Sequence, residues 1–165
     1  MYCESETPDL WQPPSEYIIE ANELHNLIAL LLKHRTALKN KLHGLIAKGI
    51  TKSPVVTSVR RQIRNLDNEV STLELKLEEV VKAHQADLIT RLCSIPGSGK
   101  RTAIYLIVLT QGFEKFENSR QLISYFGLDP TIHESGSSVR GKSRISKTGN
   151  NNIRNLLFMC SFTAC

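Results

Sequence analysis

An unbroken heptad pattern constrains the fold of this chain more than any other feature. Eight apolar residues follow one another at alternating steps of three and four: Val56, Val59, Ile63, Leu66, Val70, Leu73, Leu77 and Val80. This spacing is typical of a helix that packs one apolar seam against a partner helix. A second seam, interrupted at Arg35, precedes it between residues 18 and 48, and a break from Gly49 to Pro54 separates the two. The pattern predicts an antiparallel coiled-coil hairpin over residues 18–85. Because the seam can also pair with a second chain, we expect a homo-oligomer.

The remaining segments complete an all-α prediction. Residues 1–17 form an irregular acidic lead-in, and residues 86–165 form a small helical domain. Within that domain we expect helices over about 88–93 and 100–110, a short helix capped by Asn118 or Ser119, and a last helix from about Asn151. The chain stops inside the last helical pattern without a capping residue, which favours a truncated domain.

The uneven distribution of charge indicates the class of partner. Residues 1–20 contain five acids and no Lys or Arg and so carry −5, which leaves +10 on the other 145 residues for a net charge of +5. A basic body favours nucleic acid as a partner. No apolar stretch of about eighteen residues predicts a membrane span, and no signal peptide is visible. The four cysteines fit neither a disulfide framework nor a zinc motif, so we expect free thiols and a cytoplasmic, nucleoid-associated protein.

The turn Ile95-Pro96-Gly97-Ser98-Gly99 resembles a helix-hairpin-helix element. It is not a phosphate-binding Walker loop, because Ser94 and Arg101 stand where that loop needs Gly and Ser or Thr. Paired glycines permit a tight turn, and backbone N–H groups at the next helix start can meet a DNA phosphate. The candidate DNA contacts are Gly97, Gly99, Lys100 and Arg101. Ser98 departs from the usual apolar residue, and an ordinary helix–turn–helix corner is the alternative.

A basic loop over residues 127–154 is the second candidate site. From Arg140 to Arg154 it contains five cations and no acid, which suits a phosphate backbone. Its candidate DNA contacts are Gly136, Arg140, Lys142, Arg144, Lys147, Asn150 and Arg154. Ser135 is a possible nucleophile, but the chemistry alone does not choose among the five serines of the loop. A disordered basic linker with solvated hydroxyls is the alternative.

Several short motifs occur in the order seen in transposases of the insertion sequence 110 family, which includes the Piv-type DNA invertases. They are Ile95-Pro96-Gly97-x-Gly99, Thr102-Ala103, Phe116-x-x-Ser119-Arg120-Gln121-Leu122, Tyr125-x-Gly127-Leu128-x-Pro130, Ser135-Gly136, Arg144-Ile145-Ser146-Lys147-x-Gly149-Asn150 and Ile153-Arg154-x-x-Leu157. Upstream, Trp11-x-Pro13-Pro14 and Arg35-Thr36-x-Leu38-Lys39-Asn40-x-Leu42-His43 also resemble the family.

The resemblance implies that Ser135 attacks the DNA backbone and forms a covalent protein–DNA intermediate. The family's other half is a RuvC-like domain with four acidic metal ligands, and this sequence lacks it. We therefore expect no metal site and no cofactor in this chain; a divalent metal such as Mg²⁺ is expected only with that domain. Some family members are guided by an RNA. The predicted function is the DNA-binding, serine-bearing C-terminal part of a transposase, inactive alone; the alternative is a non-catalytic DNA-binding or oligomerisation module.

Overall fold

Two long helices form a hairpin, as the heptad seam predicts. The computed structural model describes residues 13–131, 134–135, 139–140, 144–146 and 148–164. Helix α1 (Glu16–Ala47) ends before Gly49, whose φ of 76° suits the turn. Helix α2 (Pro54–Cys93) begins with proline in its first turn, and the Ser53 side chain accepts a hydrogen bond from the Val55 nitrogen at 3.3 Å. These are the start and stop signals on which the predicted break rests.

The apolar seam of α2 is covered by α1. Val56, Ile63, Val70, Leu73 and Leu77 are buried, and Val59, Leu66 and Val80 are half-buried. At the interruption of the α1 seam, Arg35 Nη1 donates to Asp67 Oδ1 across the hairpin at 3.0 Å. The seam therefore packs on a helix of the same chain, and self-association stays a prediction.

Helix α2 continues past the predicted end of the hairpin. The sequence predicts a separate helix from about Leu88, whereas the structure bends one helix at Gln85, where φ is −134° and ψ is 36°. Gln85 Nε2 donates to the Tyr17 hydroxyl at 2.9 Å, and the Tyr17 ring stacks on His84 at 4.2 Å. The first turn of α1 thus holds the bend in place.

Three further helices follow. Helix α3 (Lys100–Thr110) ends where Gln111 takes a φ of 55°, and a 3-10 turn (Gln111–Phe113) leads to α4 (Ser119–Phe126). The Asn118 side chain caps α4 by accepting from the Gln121 nitrogen at 3.0 Å. Helix α5 (Asn151–Ala164) is the last. These bounds confirm the expected helices within a residue or two.

One hydrophobic core joins the hairpin to α3. Its buried members are Ala21, Ile28, Val70, Leu73, Leu77, Val81, Ile89, Ala103, Ile104, Ile107 and Val108. A second cluster of Leu106, Phe126 and Ile153 joins α3, α4 and α5. The all-α prediction is confirmed, and the division at residue 85 stays a prediction. None of the described helices combines the length and apolar character that a bilayer crossing requires.

Four two-residue strands, which the sequence reading did not predict, lie between α4 and α5. They are β1 (Pro130–Thr131), β2 (Glu134–Ser135), β3 (Val139–Arg140) and β4 (Arg144–Ile145). Strand β1 pairs with β4 and β2 pairs with β3, both antiparallel.

Candidate functional site

The described strands of the basic loop, β1 to β4, form two paired ladders that we call the ribbon. Its base pairs Pro130 with Ile145 and Thr131 with Arg144, and its outer ladder pairs Glu134 with Arg140 and Ser135 with Val139. Two residues separate β1 from β2, and three separate β3 from β4. The returning side of the ribbon therefore has one more residue between the two ladders than the outgoing side. The backbone of Ser135 is the last paired position of the outgoing strand. The three residues 136–138 connect it to the returning strand.

Hydrogen bonds fix the base of the ribbon. The Thr131 hydroxyl donates to the Arg144 carbonyl at 2.8 Å, and the Ser146 nitrogen donates to the Asp129 carbonyl at 2.8 Å. The Ser146 and Thr148 hydroxyls lie 3.1 Å apart. The two ends of the loop are therefore tied together just outside β1 and β4.

Two glycines allow the ends of the loop to meet. Gly127 ends α4 with a φ of 67°, and a Cβ built on it would lie 2.8 Å from Arg154 Nη1 and closer still to the Gly149 nitrogen. A Cβ on Gly149 would in turn enter the backbone of residues 125–127. Because backbone atoms cannot move aside cheaply, this contact requires glycine at both positions. We call Gly127, Gly149, Asn150 and Arg154 the ribbon clamp.

Polar contacts complete the ribbon clamp. Arg154 Nη1 donates to the carbonyls of Gly149 at 2.7 Å and Phe126 at 3.1 Å. Asn150 Oδ1 accepts from the Asn152 nitrogen at 2.9 Å and so caps α5. Both residues were predicted as DNA contacts, and the structure gives their side chains partners within the fold.

The two glycines of the turn between α2 and α3 have different surroundings. Gly97 has a φ of 79°, and a Cβ there would collide with the Cys160 carbonyl oxygen of α5. Gly99, the N-cap of α3, has no neighbour within 4 Å of an added Cβ. Ser98, between them, has a buried Oγ without a hydrogen-bond partner among the described residues. Gly97 thus serves close packing, while Gly99 leaves the helix start open to a ligand.

Both cations at the start of α3 are paired with acids of α2. Lys100 Nζ forms an ion pair with Glu78, and Arg101 Nη2 lies 2.5 Å from Glu74 Oε1. Arg101 also approaches the Tyr105 hydroxyl, whose pKa is raised mainly by burial. The sequence reading missed these carboxylates. Their spacing of four along α2, which puts them on one helix face, was the available signal.

The other predicted site residues are described to different extents. Arg144 is exposed in β4. Arg140 and Ser135 are described by their backbone pairing alone. Gly136, Lys142 and Lys147 lie outside the described residues.

Carboxylate, thiol and imidazole groups do not converge in the described part of the chain. No group of three or more His, Cys, Asp or Glu residues there has the arrangement of a metal site. The donor set that a divalent metal needs is therefore not offered by these residues.

Comparison with known proteins identifies the family. Residues 89–165, which include the turn, the ribbon and its clamp, match the model of the transposase IS116/IS110/IS902 family. The pilin gene-inverting protein of Moraxella bovis is 32% identical over 164 residues, which cover 96% of this chain and 48% of that protein. The transposase for insertion sequence element IS1111A of Coxiella burnetii is 29% identical over 84% of this chain and 46% of its own length.

A third relative is an uncharacterized 43.6 kDa protein of insertion element IS110 from Streptomyces coelicolor. It is 32% identical over 67% of this chain. The chain spans about half the length of the pilin gene-inverting and IS1111A relatives. The family model over the C-terminal helices and ribbon, together with relatives aligned along nearly the whole chain, shows that the chain belongs to the IS110 family of transposases.

Proposed function

We propose that this chain is the DNA-binding, serine-bearing part of a transposase or recombinase, with Ser135 as the nucleophile. The observation that carries the proposal is the clamped ribbon. Ser135 ends a paired strand directly before the connection 136–138, and family motif residues tie down the base of the ribbon. A reactive group on a loop needs such a rigid support to be held against its target.

The proposed chemistry is transfer of a DNA strand to serine. The Ser135 oxygen forms a bond to phosphorus while the bond from phosphorus to one deoxyribose oxygen breaks. The serine proton is lost, and the released sugar oxygen gains a proton. Negative charge spread over the phosphate oxygens is stabilised by nearby cations, and the ribbon sequence provides Arg140, Lys142 and Arg144.

The chain alone should bind DNA without cutting it. Phosphoryl transfer usually relies on metal ions beside the attacking and leaving oxygens, and the described residues offer no such site. The chain also spans only about half the length of its curated relatives. We propose that a RuvC-like acidic domain, which binds the divalent metal, must be supplied for activity.

A covalent-adduct assay tests this proposal. The chain joined to a RuvC-like partner from a full-length relative should give a labelled protein–DNA adduct on a denaturing gel. Ser135→Ala should abolish the adduct while DNA binding stays nearly unchanged, because the hydroxyl carries no charge. Ser146→Ala is the matched control in the same loop, and it should keep the adduct. An adduct that persists in Ser135→Ala and maps to Ser137 or Ser138 contradicts the assignment.

A non-catalytic DNA-binding or oligomerisation module is the second candidate. It is favoured by the internal partners of Asn150, Arg154, Lys100 and Arg101, which leave fewer of the predicted groups available to a reacting phosphate. DNA binding without any adduct, even with the RuvC-like partner present, would favour this module.

Self-association and a guide RNA are proposed on the family resemblance. Since the α2 seam is covered by α1, a second copy would have to use other apolar side chains, such as the exposed Leu75 of α2 or Phe158 and Phe162 of α5. Sedimentation of the chain as a monomer at micromolar concentration would contradict self-association. Failure of structured RNA from a transposon end to bind would contradict the guide.

A further inference from the structure

Positive charge is concentrated in one half of the helical hairpin. Between Glu23 and Asp67 the sequence contains no Asp or Glu, yet it contains nine cations: Lys33, Arg35, Lys39, Lys41, Lys48, Lys52, Arg60, Arg61 and Arg64. The following stretch, residues 67–91, contains six acids and three cations. The hairpin is therefore strongly polarised along its length. We call residues 33–64 the distal arm.

The distal arm projects beyond the other helices. The core shared with α3 uses residues of α1 up to Leu32 and residues of α2 from Val70 onward. Further out, Val56 and Ile63 are buried, and His34, Leu38, Gln62 and Leu66 line a common cleft. This cleft belongs to α1 and α2 alone, whereas Lys33, at the start of the arm, lines a cleft with Tyr105 of α3 and Met159 of α5. Beyond Lys33 the arm therefore offers its outer faces to a partner. Its α1 part, residues 33–47, is about 22 Å long at 1.5 Å per residue.

The charges of the distal arm are not compensated within the described structure. Eight of its nine cations are exposed, and among the ion pairs that join described residues only Arg35 of the nine takes part. Arg60 and Arg64 stand four residues apart on α2, where like charges repel one another. This arrangement costs folding free energy that an anionic partner would offset.

The composition of the arm indicates whether a single-stranded or a duplex nucleic acid fits it better. No Phe, Tyr or Trp occurs between Tyr17 and Tyr105. Single strands and unpaired bases are usually held by stacking on aromatic rings, and the only such rings in the sequence of the arm are the imidazoles of His34 and His43. Lys52, Ser53, Thr57 and Arg61 line one cleft at the tip of the arm and provide cationic and hydroxyl donors. Such donors suit phosphate oxygens, and contacts to phosphate carry no base readout.

We propose that the distal arm binds the phosphate backbone of duplex DNA, without sequence preference, as a second contact surface apart from the ribbon. The inference rests on the proposed function in that DNA is taken as the partner. It adds a surface that contains none of the DNA contacts predicted from the sequence and lies apart from the ribbon. A duplex presents one charge per about 1.7 Å, so a straight arm of this length can face several phosphates at once.

Charge-matched variants test the inference. Arg60→Gln with Arg64→Gln removes two cations from the arm, and Lys39→Gln with Lys41→Gln removes two from its other helix. Lys76→Gln with Lys82→Gln is the control, because it removes the same charge from exposed positions of α2 outside the arm. The affinity for a 30-base-pair duplex is measured by fluorescence anisotropy over a range of salt concentrations, and circular dichroism checks that each variant is folded.

Each arm variant should reduce the slope of log K against log salt by about 2, since each phosphate contact contributes about 0.9. The control should change the slope by less than about 0.5. If the control lowers the salt slope as much as the arm variants do, the effect comes from net charge alone and the inference is overturned. Unchanged binding by both arm variants also overturns it, and leaves the proposed function intact if Arg144→Gln still weakens binding. If the parent chain does not bind duplex DNA at low salt, both the inference and the proposed function are overturned. The same titration is repeated with a duplex RNA, and if the arm variants lose affinity for the RNA but not for the DNA, the inference is overturned and the ligand of the arm is RNA.

Discussion

Gly149 lies against the backbone of Gly127 so closely that neither residue has room for a side chain. The two glycines are 22 positions apart in sequence and flank the whole ribbon. Their contact brings the end of α4 next to the start of α5, where Arg154 and Asn150 add hydrogen bonds. The position of the ribbon relative to the helices therefore depends on the absence of two side chains.

Gly149→Ala should destabilise the C-terminal helices. The added methyl group would meet backbone atoms of residues 125–127, and overpacking of this kind costs about 1–3 kcal/mol. Gly44→Ala is the control, because Gly44 lies within α1 with nothing near an added Cβ; we expect it to stabilise the chain by about 0.5–1 kcal/mol. Urea denaturation measures both. Equal unfolding midpoints for the two variants would contradict the clamp.

Arg154→Ala should lower stability by about 1.5–3 kcal/mol, because a guanidinium that donates to two carbonyls is lost. Arg154→Lys should recover only part of this, since lysine lacks the planar fork of donors. Stability is measured by denaturation, and DNA affinity by a salt titration. If Arg154→Ala lowers the salt slope by about 1 without a loss of stability, the residue contacts DNA and is not part of the clamp.

Glu74→Gln with Glu78→Gln should strengthen DNA binding. The change releases Arg101 and Lys100 from their ion pairs, and each freed cation can add a phosphate contact. We expect the salt slope to increase by roughly 1 to 2. Glu69→Gln with Glu79→Gln, at exposed positions of the same helix, changes the net charge equally and should have a much smaller effect. Identical gains in both variants would mean that overall charge decides the affinity.

His25 should make stability depend on pH. Its side chain is buried against Tyr105, with ring centroids 4.9 Å apart, and burial lowers its pKa below the ordinary 6.5. As pH falls below about 6.5, His25 becomes protonated in the unfolded chain before it does in the folded chain, whose lower pKa reflects a weaker affinity for the proton. The free energy of unfolding therefore decreases as pH decreases. His25→Leu should flatten this decrease, and the exposed His43→Leu should not. Melting temperatures between about pH 7.5 and pH 5.5 measure the difference; parallel curves for parent and His25→Leu would contradict it.

The helices could be predicted from sequence because their signals are local. The heptad seam, Gly49, Pro54 and Asn118 each act within a few residues. The bend at Gln85 could not be predicted in this way, since it is held by Tyr17, which lies 68 residues away in sequence. The seam alone also could not decide between a partner helix in the same chain and one in another chain.

The site was only partly visible in the sequence. Its basic residues and glycines were recognised, but their roles depend on distant neighbours: Gly97 packs on α5, and Arg154 donates to the carbonyls of Phe126 and Gly149. The positive residues of the distal arm were overlooked because they are spread over two helices, although the absence of acids between residues 24 and 66 was a readable signal.

Because both ends of the ribbon are tied together at its base, the length of the ribbon can change without a change in the packing of the helices. Once the clamp has closed the loop, inserting residues between Thr131 and Arg144 adds only a slowly growing entropy of closure, about 0.6 kcal/mol for each doubling of length. The helices below would experience no change in their own packing. Ribbons of quite different reach can therefore evolve, or be engineered, on one unchanged helical support, with only a small effect of their length on stability.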